Sequence, residues 1–121
     1  MSERKRDRFV YKVLTQEQWA QFQSEDIFRG SPVDLEDGYI HLSCLSQLTE
    51  TLDKWYAQYS VVALLEIETA EIEADLKYEV SRGGEDFPHL FADLPFTAVG
   101  RVWLVSPDKG VYRLPHDLNP N

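Results

Sequence analysis

Phe9 to Leu14, FVYKVL, is a run of β-forming residues, and Thr15 behind it can cap a helix while Gln18 reaches back to close a capping box. The pattern predicts a strand and then a short helix, on which Trp19 and Phe22 sit three apart and staple it to the core. Gly30-Ser31-Pro32 marks a loop, and irregular chain is expected from Ile27 to Asp37. In DGYIHLS (Asp37 to Ser43) the side chains alternate, with Ile40 and Leu42 on one face of a strand and Tyr39, His41 and Ser43 on the other. One face reads as core and the other as a site. Leu45, Leu48, Leu52, Trp55, Tyr56 and Tyr59 recur at helical spacing and give the strongest helix signal, with Ser43 or Ser46 as its N-cap. VVALLEI (Val61 to Ile67) is short, apolar and valine-rich, which predicts a central strand covered on both faces. Leu76, Tyr78 and Val80 alternate with Lys77, Glu79 and Ser81 in a half-exposed strand that Arg82-Gly83-Gly84 breaks. FPHLF (Phe87 to Phe91) follows, and Ala98 to Val105 reads as a further buried strand before a Pro-rich end.

Strands with two main helices, lacking regular strand-helix alternation, predict an α+β fold with small, curved, mostly antiparallel sheets. No GxGxxG follows a strand, and Gly83-Gly84 lacks the frame of a P-loop, so neither nucleotide-binding signature is present. At 121 residues there is room for a single domain. It is expected over residues 9–115, between a basic tail at 1–8 and a C-terminal tail at 116–121. Arg4, Lys5, Arg6 and Arg8 in the first tail read as a solvated cluster without a role. A net charge of −9 is the wrong sign for gripping a phosphate backbone, so extended nucleic acid is not an expected partner. A small anionic ligand needs only one or two placed donors and stays compatible with that charge. Cys44 is the single cysteine and can form no internal bridge, and no apolar run is long enough for a membrane span or signal peptide. The expected location is the cytoplasm.

Three kinds of chemistry can be weighed on these residues. Metal binding would draw on His41, His89, His116 and Cys44, but paired ligands at zinc-site spacing are missing, and no metal is expected. A serine nucleophile is disfavoured too: His41 and Ser43, two apart on one strand face, diverge beyond a hydrogen bond, and no GxSxG elbow occurs. What remains is a polar cleft of Tyr39, His41 and Ser43 from one strand, Lys77, Glu79 and Ser81 from another, Arg82 at its end and His89 in the next turn. Together they offer an anion donor, hydroxyls, a carboxylate and flexible amides, the groups a ribose-phosphate ligand needs.

YKVLTQEQW (Tyr11 to Trp19), DGYIHLS with Gln47 and Thr51 after it, VALLEIE and EVSRGGEDFPHLFADLP (Glu79 to Pro95) resemble the bacterial family known as domain of unknown function 952 over nearly the whole chain. Its members are similar in fold to ADP-ribosyltransferases, which cleave the nicotinamide-ribose bond of NAD, so the resemblance implies two small sheets meeting at a cleft. IHLS (Ile40 to Ser43) looks like the VHLS-type segment of NAD-dependent RNA 2′-phosphotransferases, which implies that His41 contacts NAD. Lys12 falls where such folds offer a cofactor-binding side chain from their first strand. His89 stands near the position of their late catalytic glutamate, and Glu79 comes earlier. The implied assignment makes His41, Glu79 and His89 catalytic, and Lys12, Tyr39, Ser43, Ser81 and Arg82 binding residues for NAD or ADP-ribose. The rival readings are a non-catalytic module for a small nucleotide or metabolite, and a protein-interaction domain using an aromatic surface around Trp19, Trp55 or Trp103.

Overall fold

Among the described residues the chain runs through eight strands and three α-helices: β1 (Phe9–Thr15), α1 (Gln16–Glu25), β2 (Ile27–Phe28), α2 (Pro32–Asp37), β3 (Ile40–His41), α3 (Leu48–Trp55), β4 (Val62–Glu68), β5 (Leu76–Val80), β6 (Asp86–Leu90), β7 (Leu94–Pro95) and β8 (Val99–Val105). The computed structural model describes residues 7–80 and 82–118, with the backbone alone at Arg82. Arg4, Lys5, Arg6 and Ser81 therefore lie outside the described residues, as does the Arg82 guanidinium.

All strand pairing is antiparallel, in sheets ordered β1-β4-β8, β2-β7 and β3-β6-β5. The VVALLEI segment holds the centre of the first sheet, as its composition predicts, and Val62 to Leu65 and Ile67 are fully buried. Alternation along β1 and β4 feeds two cores. Val10, Leu14, Ala63, Leu65 and Ile67 face Phe22, Ile40 and Leu90, while Tyr11, Val13, Val62 and Leu64 face Leu48, Leu52, Tyr112 and Leu118. The first of these cores also holds Phe28 and Leu94, so a single face of the sheet carries both of the smaller sheets.

The first helix starts as expected: Thr15 Oγ1 accepts from Gln18 N at 3.1 Å, and Gln18 Oε1 accepts from Thr15 N at 2.9 Å. Residues 27–37, expected to be irregular, instead form β2 and α2. Ser31-Pro32-Val33-Asp34 is itself a helix start: the Ser31 hydroxyl takes the Asp34 N–H, the Asp34 carboxylate takes the Ser31 N–H, and Pro32 occupies the first turn. The helix predicted from Leu45 is shorter than its periodicity, with a 3-10 turn at Leu45–Gln47 before α3 and an end at Trp55, which is 52% exposed. Its cap is the Gln47 amide oxygen on Cys44 N at 2.9 Å, not a serine hydroxyl. Phe87 to Leu90 of FPHLF lie in β6, the middle strand of its sheet, and Phe91 follows it. β8 is an outer strand, not a buried one: β4 covers one of its edges, and Leu104 is 62% exposed. Packed chain also extends past residue 115, since Leu118 is buried, and before residue 9, since the Asp7 carbonyl accepts from Thr69 Oγ1 at 2.7 Å.

Candidate functional site

The short helix α2 sets an aspartate at the base of the site. Asp34 is 2% exposed, and its Oδ2 accepts from Lys12 Nζ at 3.1 Å and from Ser31 N at 2.9 Å. Its Oδ1 accepts from His41 N at 3.1 Å and lies 2.7 Å from His41 Nδ1. Burial alone would raise the Asp34 carboxyl, but the His41 hydrogen bond, the Lys12 charge and the backbone N–H groups of Ser31 and His41 outweigh it and hold the group well below the ordinary carboxylate range. Burial pulls the Lys12 ammonium down, and Asp34 pushes back. Lys12 Nζ also donates to His41 O at 2.9 Å. Lys12 is therefore spent beneath the site, and to reach a ligand it would have to abandon Asp34.

On its outer side His41 meets a second carboxylate, with Nε2 2.9 Å from Asp37 Oδ2. The ring is 35% exposed, and Asp37 is exposed more than that.

Pairing of β3 with β6 puts His41 opposite His89, and pairing of β6 with β5 puts His89 opposite Lys77 and brings Glu79 within diagonal reach. His89 Nδ1 lies 2.7 Å from Glu79 Oε1. The His89 ring is nearly buried, stacked on Tyr39 at 4.1 Å and 23°, with His41 edge-on at 5.5 Å. Among the described residues nothing bonds His89 Nε2, and no buried side-chain nitrogen or oxygen there lacks a partner, so Nε2 must touch solvent. An imidazole steered by a carboxylate at Nδ1 and open at Nε2 is the arrangement proton transfer requires.

Tyr39 joins these histidines to a cleft of about 240 Å³ lined by Arg29, Leu35, Tyr39, Phe91 and Asp93 among others. Its ring is 4.8 Å from His41 and 5.1 Å from Phe91, and Lys77 Nζ stands 5.0 Å from the Phe91 centroid.

The structure thus brings together Tyr39, His41, Glu79 and His89. Ser43 is elsewhere: β3 lasts only Ile40–His41, after which Ser43 pairs with Tyr11, and its buried hydroxyl lies 3.1 Å from Thr51 Oγ1. The alternation that groups it with His41 stops when the chain changes partner strands. Asp34, Asp37 and Phe91 are site residues that strand alternation misses. The capping-box spacing Ser31 to Asp34, and the four-residue step from Asp37 to His41, are the signals that locate the two carboxylates. Among the described residues no group of three or more His, Cys, Asp or Glu side chains could hold a metal ion, and no helix is long and apolar enough to cross a membrane.

Fold and site together define a small α+β protein in which an antiparallel ladder sets two carboxylate-bound histidines side by side. The chain belongs to the protein family of unknown function DUF952, whose model matches residues 13–102. It is similar to protein CC0527 from Caulobacter crescentus: the crystal structure of that protein shares 40% identity over 87% of this chain and 93% of the other, with a TM-score of 0.82. The solution NMR structure of the same protein gives 38% identity over 88% and 91%, with a TM-score of 0.78. No curated protein matches the chain.

Proposed function

We propose that this site binds a ribose-bearing nucleotide of the NAD or ADP-ribose class, in a frame of the ADP-ribosyltransferase kind, and acts at the nicotinamide-ribose bond. The observation that supports the reading is the Glu79–His89 pair, whose imidazole stacks on Tyr39, a residue that also lines the cleft of about 240 Å³. Substitution at the ribose C1 forms a bond from an acceptor oxygen and breaks the bond to nicotinamide, which leaves with the bonding electron pair. His89 would take the acceptor's proton at Nε2, while the Glu79 carboxylate offsets the positive charge that builds on the sugar. Tyr39 supplies a stacking face, and His41 donates to the diphosphate or a ribose hydroxyl. The cleft volume suits the nicotinamide ring or the base, not the whole dinucleotide.

A second reading, a binding module without turnover, draws on one observation: both His41 nitrogens and the Lys12 ammonium are already engaged inside the protein. Calorimetry with NAD and with ADP-ribose on wild type, His41→Ala and His89→Asn separates the readings. We expect binding to wild type that weakens at least about tenfold in His41→Ala, the loss of one charged hydrogen bond. Nicotinamide release from NAD by wild type but not by His89→Asn supports catalysis; binding with no release by either supports the module. Equal affinities in wild type and His41→Ala would remove His41 from the ligand, and no binding to wild type would end both readings.

A further inference from the structure

We infer that the outer edge of β8 pairs with β8 of a second copy of this chain, so that two molecules share one antiparallel sheet about a twofold axis at Trp103. The edge is open. β8 lies at the margin of the β1-β4-β8 sheet, and among the described residues no hydrogen bond outside the β4 ladder reaches the backbone of Gly100 to Val105. A row of unpaired N–H and C=O groups is a template for another strand, and proteins guard such edges with charge, proline or brevity. The other margins of these sheets are guarded. β2, β3 and β7 are two residues long, β5 carries Lys77 and Glu79, and β1 exchanges backbone bonds with Ser43 at Tyr11, at 2.8 and 2.9 Å. β8 has seven residues and contains no proline, lysine or carboxylate. Its one charge, Arg101, is met by Glu66, with Nε 2.8 Å from Oε1 and Nη2 3.0 Å from Oε2, and so sets up no repulsion against a second copy.

The strand's own sequence selects both partner and register. Its regular part runs from Val102 to Val105, past the register shift opposite Leu65 and Ile67. Leu104 and Val102 pair with Ala63 and Leu65 and so share one face, on which Leu104 is 62% exposed and Val102 half-buried. A twofold that continues the sheet keeps each face on its own side, so it brings residues of like parity together and centres on a single residue. Centred on Trp103, it sets Leu104 against the partner's Val102, and symmetry makes that apolar pair twice. Centred on Val102, Leu104 would meet Gly100, which has no side chain to offer; centred on Leu104, Val102 would meet Ser106, beyond the strand. β8 therefore carries the apolar complement of its own exposed leucine at the spacing that self-pairing requires.

Sedimentation equilibrium of wild type and Leu104→Lys tests the pairing, with amide hydrogen exchange along β8 at high and low protein concentration. Wild type should associate to a dimer that dissociates on dilution, with alternate β8 amides protected only in the dimer. Leu104→Lys removes the apolar contact at two places and puts a guarding charge on the edge, so it should weaken dimerisation at least about tenfold. Because Leu104 stands in solvent, the variant should keep the wild-type unfolding midpoint under conditions where both proteins are monomeric, which excludes a folding defect as the cause. A monomer at concentrations up to about 1 mM would overturn the inference. So would a dimer that Leu104→Lys leaves intact, or one whose β8 amides exchange equally at all concentrations, since each places the contact elsewhere. The experiment involves no ligand and stands apart from the NAD titration.

Discussion

Asp34→Ala should destabilise the protein by about 3–5 kcal/mol, the penalty for leaving a buried ammonium without its counter-charge. Lys12 is as buried as its partner, and the same carboxylate caps α2 and holds the His41 ring, so all three supports go at once. Urea unfolding measures the loss. The double variant Lys12→Met/Asp34→Leu separates the causes, because it removes both charges and fills their volume with apolar groups. We expect it to regain a large part of the stability while still lacking the helix cap. A loss below about 1 kcal/mol in Asp34→Ala would mean that Lys12 escapes to solvent or sheds its proton at little cost.

The same carboxyl sets a pH dependence. Its folded value lies below the unfolded one of about 3.9, so as the pH drops the unfolded chain takes up this proton first. The stabilisation is fully present above that value and is lost as the pH falls below it towards the folded value. Urea midpoints from pH 6 to pH 2.5 should show wild type losing up to about 1.4 kcal/mol per pH unit from this one group at the acid end. In Lys12→Met/Asp34→Leu that component should be missing.

Phe22→Ala is the second large effect, expected at about 3–5 kcal/mol, the range for deleting a buried aromatic ring. Phe22 is 1% exposed, and its ring lies 5.9 Å from Trp19, 5.8 Å from Phe28 and 5.4 Å from Phe96. These neighbours come from α1, β2 and the turn before β8, so the ring ties the first helix to the β2-β7 ribbon and to the approach to the outer strand. Chemical unfolding checks the value, and a much smaller loss would show that the three rings collapse into the space.

Hydrophobic patterning was enough for the elements that bury apolar surface with a single period. VVALLEI announces a central strand because both its faces are covered, and Thr15 with Gln18 announces a helix because the cap is local. Patterning falls short where a long-range partner decides. Ala98 to Val105 reads as a buried strand, yet its place at the sheet margin leaves Leu104 in solvent. Tyr39 and His41 fall on one face as alternation requires, but Ser43 turns to Tyr11 two residues later, which no local period encodes. The meeting of His41 with His89 depends on a strand register across 47 intervening positions, and only the fold displays it. Asp34 and Asp37 escape a reading that treats their segment as loop, although the capping-box spacing is present in the sequence.

Because His41 and His89 are facing rungs of one ladder, the spacing of the two rings is inherited from backbone pairing and owes little to the loops around it. A slip of β6 by a single position would carry Pro88 or Leu90 into the place of His89 and turn that imidazole toward the opposite side of the sheet. Evolution can therefore rework the rim of this protein freely, yet any insertion within these two strands has to preserve parity, and the chemistry of the pocket is inherited with the count of residues.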